Sequence, residues 1–230
     1  MFEHLYGELL NLVFPPRCVV CGKVETWLCD LCARQIPLVD REICPRCGDA
    51  WTGPELCPRC RSTPLHVAPV RSAFLFAGPI RKAIHALKYR GARSVVAPLA
   101  SRMAEAWELS DMSGAILVPV PLHPEREARR GYNQAGLLAR ALSERIRVPA
   151  TESVLFRIRP TLSQTHLGRE ARWRNVQDAF ACPDGCDLSG LHVTLIDDVA
   201  TTGATLNACA VALLAQGASS VSAFTLAHAV

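Results

Sequence analysis

Residues 193–205, with the sequence VTLIDDVATTGAT, constrain the fold of this chain more than any other segment. The first four are mainly apolar and β-prone, which is typical of a buried strand in a parallel sheet. We expect Asp197 and Asp198 to lie where that strand ends. A loop of small and hydroxylated residues follows, and Gly203 supplies the backbone freedom for its turn.

The segment after this loop, residues 206–216, predicts a helix. At the start of such a helix the backbone N–H groups and the helix dipole favour an anion, and the hydroxyls of Thr201, Thr202 and Thr205 add donors. The two carboxylates would repel a phosphate, so we expect them to face paired neutral hydroxyls or a metal ion. A ribose 5-phosphate satisfies both requirements.

This run resembles the phosphoribosyl pyrophosphate (PRPP) signature of type I phosphoribosyltransferases, in which an acidic pair binds the ribose 2′- and 3′-hydroxyls and the following loop holds the 5-phosphate. The resemblance implies that Asp197 and Asp198 bind the ribose. It implies a 5-phosphate loop formed by Ala200, Thr201, Thr202, Gly203, Ala204 and Thr205. The alternative is an ordinary strand–loop–helix unit in which the acidic pair only ends a strand.

The overall composition is that of a globular protein and does not demand a nucleic-acid partner. The chain has 230 residues, half of them hydrophobic, and a net charge of +4. This length accommodates one good core and a smaller module. Residues 121–175, however, contain eleven Arg and five Glu, a local excess of +6. We expect this segment to meet anions such as diphosphate or a nucleic-acid backbone; the alternative is a solvated helix face.

The N-terminal segment lacks a basic region followed by a long apolar run, so we expect no signal peptide. Leu5, Leu9, Leu12 and Val13 recur at helical spacing, which predicts a short amphipathic helix. The chain contains no run of about eighteen apolar residues, so we expect no transmembrane span. The expected location is the cytoplasm.

Eight of the eleven cysteines form four Cys-x-x-Cys pairs near the N-terminus. The pairs are Cys18 and Cys21, Cys29 and Cys32, Cys44 and Cys47, and Cys57 and Cys60. A two-residue gap lets both thiolates reach one ion, and four thiolates in a tetrahedral shell suit zinc. Disulfides are less favoured because a secretory signal is not expected. Redox-active pairs are less favoured because the segment is too short for a thioredoxin-like fold.

Eight ligands predict two structural zinc ions. Sequential pairing puts the first two pairs in one site and the last two in the other, as in a double zinc ribbon, and the spacing also permits an interleaved arrangement. No His or carboxylate stands at ligand spacing, so we expect the metal to hold structure rather than to do chemistry. Cys182, Cys186 and Cys209 lie outside this set.

After residue 64 the sequence alternates between strands and helices. The expected strands are residues 71–77, 116–118, 193–196 and 221–226, and the expected helices are residues 79–88, 95–109, 132–145 and 206–216. This alternation predicts a doubly wound parallel sheet with its substrate at the carboxyl ends of the strands. Asp197, Asp198 and residues 121–123 all fall at such ends.

A second group of motifs is similar to those of the ComF family. The group comprises VPVPLH at 118–123, Arg126, RGYNQ at 130–134, LKY at 87–89, QT at 164–165, REARWRN at 169–175 and Phe180. The resemblance implies an α/β fold: a type I phosphoribosyltransferase-like, doubly wound parallel sheet preceded by a small cysteine-rich zinc-ribbon module. It puts an N-terminal helix and the double zinc ribbon in residues 1–64 and the phosphoribosyltransferase-like domain in residues 65–230.

The arginine-rich segment supplies candidates for binding the diphosphate of PRPP. These are Pro121, His123, Arg126, Arg130 and Asn133. In related phosphoribosyltransferases the equivalent loop binds diphosphate with Mg²⁺, so the resemblance implies an ion shared between substrate oxygens and waters. Residues 161–175 fit a mobile lid over the site, with candidate contacts from Gln164, Arg169 and Arg172.

Three functions are compatible with these motifs. In the first, a nucleophile displaces diphosphate from ribose C1. Its acceptor stays open, because purine-type enzymes of this fold carry an Asp at the position of Thr201, which cannot do that acid–base work. In the second, which the family resemblance implies, the protein handles incoming single-stranded DNA in natural transformation together with competence proteins. In the third, it is a PRPP sensor or scaffold without turnover.

Overall fold

The computed structural model describes residues 15–40, 42–63, 65–161 and 168–229. The amphipathic helix that the sequence predicts near the N-terminus lies outside these ranges. The elements in chain order are α1 (Asp30–Arg34), α2 (Pro58–Ser62), β1 (Val70–Leu75), α3 (Gly78–Tyr89), a 3₁₀ turn (Arg93–Val95), α4 (Val96–Glu108), β2 (Ile116–Pro119), α5 (Pro124–Arg130), α6 (Gln134–Ile146), β3 (Phe156–Arg157), α7 (Arg169–Val176), β4 (Phe180–Ala181), β5 (His192–Ala200), α8 (Ala204–Leu214) and β6 (Ser220–His228). Within the described ranges, no helix has the length and apolar character needed to cross a membrane.

Two small cysteine-rich ribbons precede the sheet. In each, a short helix begins directly after a cysteine, Cys29 in the first ribbon and Cys57 in the second. Gly48, in a knuckle of the second ribbon, has a φ of 73°, and a Cβ there would lie 2.6 Å from the carbonyl oxygen of Val70. Only glycine therefore lets this knuckle lie directly against β1.

The main sheet has four parallel strands in the order β1–β6–β5–β2. Because all four strands are parallel, their carboxyl ends share one edge of the sheet, which is where open α/β sheets bind their ligands. Strands β3 and β4 form a separate antiparallel pair.

Helices cover both faces of the main sheet. Ile196 and Phe224 join one buried cluster with residues of α3, α4, α6 and the first ribbon. Their neighbours Leu195 and Ala223 join a second cluster with α8 and the second ribbon. Consecutive strand residues point to opposite faces, so the two clusters lie on opposite sides of the sheet. The prediction of a doubly wound parallel sheet preceded by a cysteine-rich module is confirmed.

Strand β5 is longer than the sequence predicts. It runs through the acidic pair to Ala200, because Asp197 continues the ladder with Thr225 and Val199 continues it with Ala227. The expectation that the strand ends before Asp197 is therefore wrong. Pairing with β2 ends at Ile196, so beyond it the ladder with β6 keeps the backbone extended, even where the side chains turn polar.

The sequence does not predict helices α5 and α7 or strands β3 and β4. Helix α5 follows β2, begins with Pro124 in its first turn and ends at Gly131 in the left-handed region. The short strands β3 and β4 have only two residues each, which is too short for an alternating pattern to show. Helix α7 occupies residues 169–176, so this part of the expected lid is helical.

Candidate functional site

A cleft of about 510 Å³ opens at the carboxyl edge of the sheet, between the ends of β2 and β5, the start of α8, and helices α3, α5 and α7. The predicted site residues that line it are Pro121, Arg126, Arg130, Arg172, Asp197, Asp198, Ala200, Thr201, Gly203, Ala204 and Thr205. The structure therefore brings the acidic pair, most of the 5-phosphate loop and part of the arginine-rich segment together. The cleft is also lined by Arg81, His85, Lys88, Tyr89 and Arg157, which the sequence motifs do not assign to a site.

The loop between β5 and α8 presents the start of α8 to the cleft. Gly203 stands at the N-cap with a φ of 76°, a conformation that favours glycine. The hydroxyl of Thr202 is buried and accepts a hydrogen bond of 3.4 Å from the N–H of Ala204. The buried Thr202 therefore stabilises the loop on the side away from the cleft, while Ala204 and Thr205 line the cleft.

Lys88, in the last turn of α3, forms an ion pair with the acidic pair. Its Nζ lies 2.5 Å from Oδ2 of Asp198, whose side chain is only 4% exposed. Asp197 accepts a hydrogen bond of 2.8 Å from the backbone N–H of Asp198 through its own Oδ1. Lys88 belongs to the LKY motif at residues 87–89, but the motif did not assign it to the site, because its partner is more than a hundred positions away in the chain.

The ionisation of this group follows from its burial and its neighbours. Burial alone would lower the pKa of Lys88, but the carboxylates of Asp198 and Asp197 raise it. Burial raises the pKa of Asp197 well above the usual range; the charge of Asp198 raises it further, and Lys88 opposes both effects. This arrangement favours the neutral form of Asp197 more than water would, while Lys88 pairs with Asp198.

Cationic side chains dominate the rest of the cleft. Arg126 donates a hydrogen bond of 2.5 Å to the carbonyl oxygen of Thr161, and Arg157 donates to the hydroxyl of the same residue. Burial and the nearby charge of Arg126 lower the pKa of Arg157, whose guanidinium lies 5.3 Å from the ring centroid of Phe180. The cations lining the cleft are Arg81, Lys88, Arg126, Arg130, Arg157 and Arg172. Among the described lining residues they face only two carboxylates, so the cleft favours a polyanion.

Two predicted diphosphate residues, His123 and Asn133, do not line the cleft. His123 is the N-cap of α5. Asn133 caps α6, since its side-chain oxygen accepts a hydrogen bond of 3.0 Å from the N–H of Ala135. Its amide donates to the carbonyl of Val120 at 3.1 Å. Asn133 therefore fixes the end of β2 against α6.

The three lid candidates have different outcomes. Arg172, on α7, lines the cleft. Arg169 is the first residue of α7, and its side chain lies outside the described part of the structure. Gln164 lies outside the described residues altogether.

The eight paired cysteines form two separate groups of four. Cys18, Cys21, Cys29 and Cys32 form one group, and Cys44, Cys47, Cys57 and Cys60 form the other; within each group the sulfur atoms all lie within 4.8 Å of one another. The sequential pairing is therefore correct and the interleaved one is wrong. Four thiols at these distances fit a tetrahedral zinc site.

One thiol in each group has a lowered pKa, whereas burial raises the pKa of Cys32 in the first group and of Cys47 and Cys60 in the second. Burial alone would raise the pKa of Cys18, but hydrogen bonds from backbone groups of Cys21 and Cys29 lower it to about 6. Backbone hydrogen bonds from Cys47 and Cys57 lower the pKa of Cys44 to about 6 in the same way, against the effect of its burial. A thiolate in each group is what a zinc ion requires of its ligands.

Known proteins resemble this chain in both parts. A family model described as a double zinc ribbon domain matches residues 9–61. The DNA utilization protein YhgH of Salmonella typhimurium (strain LT2) is 31% identical over 225 residues, which cover 94% of this chain and 98% of that protein. The competence protein ComFC of Bacillus subtilis (strain 168) is 28% identical over 218 residues, which cover 91% of this chain and 88% of that protein.

This chain belongs to the ComF family. Among solved structures, a glutamine phosphoribosylpyrophosphate amidotransferase from B. subtilis is similar in fold. The match covers 58% of the ComF-family chain and 26% of the amidotransferase chain. The identity is 17% and the TM-score is 0.38. A likeness at this level decides nothing about activity.

In this ComF-family chain Leu65 connects the second zinc ribbon to the loop that precedes α8. Arg46 of the ribbon donates a hydrogen bond of 2.9 Å to the carbonyl oxygen of Leu65. A Cβ at Gly203 would lie 3.8 Å from the side chain of Leu65, so this leucine packs beside the turn. The backbone N–H of the next residue, His66, donates a hydrogen bond of 2.7 Å to the side-chain oxygen of Asn207 in α8. The ribbon therefore supports the turn that presents the helix N-terminus.

Proposed function

We propose that this chain binds PRPP in the cleft and transfers its phosphoribosyl group, and that it serves the handling of DNA taken up by the cell. The observation that carries the proposal is that the acidic pair, the start of α8 and six cations share one cleft. A ribose needs hydroxyl partners, a 5-phosphate needs backbone donors, and a diphosphate needs cations. The residues that line the cleft offer hydroxyl partners, backbone donors and cations.

The acidic pair suits a vicinal diol. Two neighbouring carboxyl groups offer several oxygen atoms that accept hydrogen bonds from adjacent hydroxyls. Lys88 pairs with Asp198 at 2.5 Å and fixes the position of this carboxyl group. A phosphate in this position would meet a buried carboxylate, so the diol of the ribose is the better occupant.

The 5-phosphate would lie at the start of α8. This helix has eleven residues, and its N-terminal turn lines the cleft at Ala204 and Thr205. Backbone N–H groups at a helix N-terminus attract an anion through both hydrogen bonding and the helix dipole. The left-handed turn at Gly203 lets the chain change direction between the acidic pair and this helix end.

The diphosphate would lie against the cations of α5, β3 and α7. Arg126, Arg157 and Arg172 line this side of the cleft. Mg²⁺ bound to the diphosphate would neutralise part of its charge, in the coordination by substrate oxygens and waters that this ion prefers. The carboxylates that line the described cleft, Asp197 and Asp198, contact each other and Lys88. The cleft therefore suits a Mg²⁺ ion that enters bound to PRPP.

The reaction would be a displacement at ribose C1. A lone pair of the acceptor forms the new bond to C1, the C1–O bond to diphosphate breaks with its electrons leaving on the diphosphate, and the acceptor proton passes to water. The cations stabilise the charge that develops on the leaving diphosphate. Thr201 lines the cleft but carries no group that titrates near neutral pH, so it does not serve as a general base.

Calorimetric titration with PRPP and Mg²⁺ tests the binding step. We expect one site per chain, a loss of affinity of at least tenfold in Asp198→Asn, and no change in Glu144→Gln, which removes an exposed carboxylate of α6 outside the cleft. Absence of heat with the wild type at millimolar PRPP would contradict the proposal. Release of diphosphate on addition of an acceptor distinguishes transfer from a sensing role.

The DNA-handling part rests on two observations. Relatives over nearly the whole chain are named for DNA utilization and for competence. The segment 121–175 carries a local excess of six positive charges. A fluorescent single-stranded oligonucleotide should therefore bind with an affinity that falls steeply as salt rises. Binding that is absent at low salt, or insensitive to salt, would contradict this part alone.

A further inference from the structure

Two cysteines outside the zinc groups lie close together in the loop after β4. Cys182 and Cys186 are separated by Pro183, Asp184 and Gly185. The backbone N–H of Cys186 donates a hydrogen bond of 3.2 Å to the carbonyl oxygen of Pro183, and Gly185 has a φ of 76°. A positive φ at the third position is typical of a type II turn, which reverses the chain between the two cysteines.

The side chains of this pair interact directly. Burial raises the pKa of Cys182 to about 11, and the neighbouring side chain of Cys186 contributes to the rise. The thiol of Cys182 also donates a hydrogen bond of 3.6 Å to the carbonyl oxygen of Ala212 in α8. Both cysteines are half-buried and pack against the cluster that contains α8. The turn therefore presents a dithiol, with one of its thiols held protonated against a helix.

The other nine cysteines are not available as a dithiol. Eight of them form the two groups that suit zinc, and the metal would occupy their thiolates. Cys209 is fully buried, and burial raises its pKa well above the usual range. Within the described ranges, Cys182 and Cys186 belong to neither group that could hold a metal ion. Solutes can therefore reach this pair while the other thiols are bound or buried.

We propose that Cys182 and Cys186 are a redox-active pair that forms a reversible disulfide, with a low-molecular-weight disulfide as the oxidant. In the first step the thiolate of Cys186 attacks one sulfur of the oxidant, the S–S bond of the oxidant breaks, and its other half leaves as a thiolate. In the second step the thiolate of Cys182 attacks Sγ of Cys186 and releases the remaining half. The pair gives up two electrons and two protons, and the oxidant becomes two thiols.

The order of the two steps follows from the surroundings of Cys182. Its hydrogen bond to Ala212 and its burial hold the thiol proton, so Cys186 is the better first nucleophile. The pair lies beside the last turn of α8, whereas the first turn of this helix lines the cleft. The disulfide is therefore a second site of chemistry, and it does not depend on the binding of PRPP.

Oxidation of the zinc-loaded full chain by glutathione tests the pair. The protein is incubated in mixtures of reduced and oxidised glutathione, the remaining thiols are alkylated, and peptide mass spectrometry locates every disulfide. We expect one disulfide, between Cys182 and Cys186, in mixtures that leave two zinc ions per chain, and its reversal by excess reduced glutathione. Absence of this disulfide in oxidised glutathione alone, or loss of zinc before the pair is oxidised, would overturn the proposal.

Variants separate the two steps. Cys182→Ser should retain one glutathione on Cys186, because the second step is blocked. Cys186→Ser should react about tenfold more slowly or less, because the remaining thiol is held protonated. Cys209→Ala removes a buried thiol outside the pair and should form the disulfide as the wild type does. A zinc content of two per chain shows that each variant is folded. Glutathione on both cysteines of the wild type, without a disulfide between them, would overturn the proposal.

Discussion

Oδ1 of Asp49, in a knuckle of the second zinc ribbon, lies 2.9 Å from Nε2 of His228 at the end of β6. The other carboxylate oxygen of Asp49 pairs with Arg59 of α2 at 3.0 Å. His228 is buried and stands in register with Ala200, where the predicted 5-phosphate loop begins. One carboxylate thus joins the zinc ribbon to the strand end beside the loop.

We predict that Asp49→Ala destabilises the protein by about 1–3 kcal/mol, because it leaves Nε2 of His228 buried without this partner. Asp49→Asn keeps a side-chain oxygen in the same place and should cost less. The free energy of unfolding in urea measures both. Equal costs for the two variants would contradict the role of this hydrogen bond.

Zinc content is expected to follow the sequential pairing of the cysteines. The wild type should hold two zinc ions per chain, and Cys18→Ser and Cys44→Ser should each hold one, because the two variants affect different groups. Metal analysis of the dialysed proteins gives the numbers. Loss of both ions from a single variant would show that the groups are not independent.

Cys44→Ser should also lower the affinity for PRPP more than Cys18→Ser does. The second ribbon contacts the loop before α8 through Leu65 and β6 through Asp49, whereas the first ribbon packs in the cluster on the opposite face of the sheet. The two variants are matched, since each removes one thiolate from one group. Equal losses, measured by the PRPP titration, would contradict a specific role of the second ribbon.

Lys88 and Asp198 should behave as a coupled pair. Lys88→Met leaves a buried carboxylate uncompensated, and we expect a loss of about 3 kcal/mol of unfolding free energy. The double variant Lys88→Met with Asp198→Asn removes both charges and should cost less than the sum of the single variants. Urea unfolding of all four proteins gives the coupling. Strict additivity would contradict a direct ion pair.

Asp197 should make the protein less stable as the pH rises. Its pKa is raised in the folded state by burial and by Asp198, so above its unfolded pKa of about 4 the native state binds more protons than the unfolded state. Stability from this group therefore falls with rising pH up to the raised pKa. Asp197→Asn should remove this loss of stability. The unfolding free energy of the variant should therefore exceed that of the wild type by an amount that grows from pH 5 to pH 8. Parallel stability curves would contradict the raised pKa.

The sequence alone predicts the residues whose chemistry is carried by a local pattern. The acidic pair, the glycine turn and the helix that follows are contiguous, so their order in the chain already implies their place at a sheet edge. The cysteine pairs predict metal sites for the same reason. The spacing did not decide between sequential and interleaved pairing, because that choice depends on how the knuckles fold together.

The sequence alone does not predict residues that join the site only through tertiary contacts. The LKY motif contains Lys88 without giving it a role, and only the packing of α3 on the sheet brings it to Asp198. Arg157 reaches the cleft from a strand of two residues. Asn133, in contrast, matches the expected motif, but its side chain caps α6. A motif identifies residues near a site, whereas packing decides which side chains face the ligand.

A crystal structure of the chain with PRPP and Mg²⁺ tests the central claim most directly. The account predicts the ribose hydroxyls at Asp197 and Asp198, the 5-phosphate at the N-terminal turn of α8, and the diphosphate beside Arg126 and Arg157. A 5-phosphate bound elsewhere, or a cleft without PRPP at saturating concentration, would contradict it.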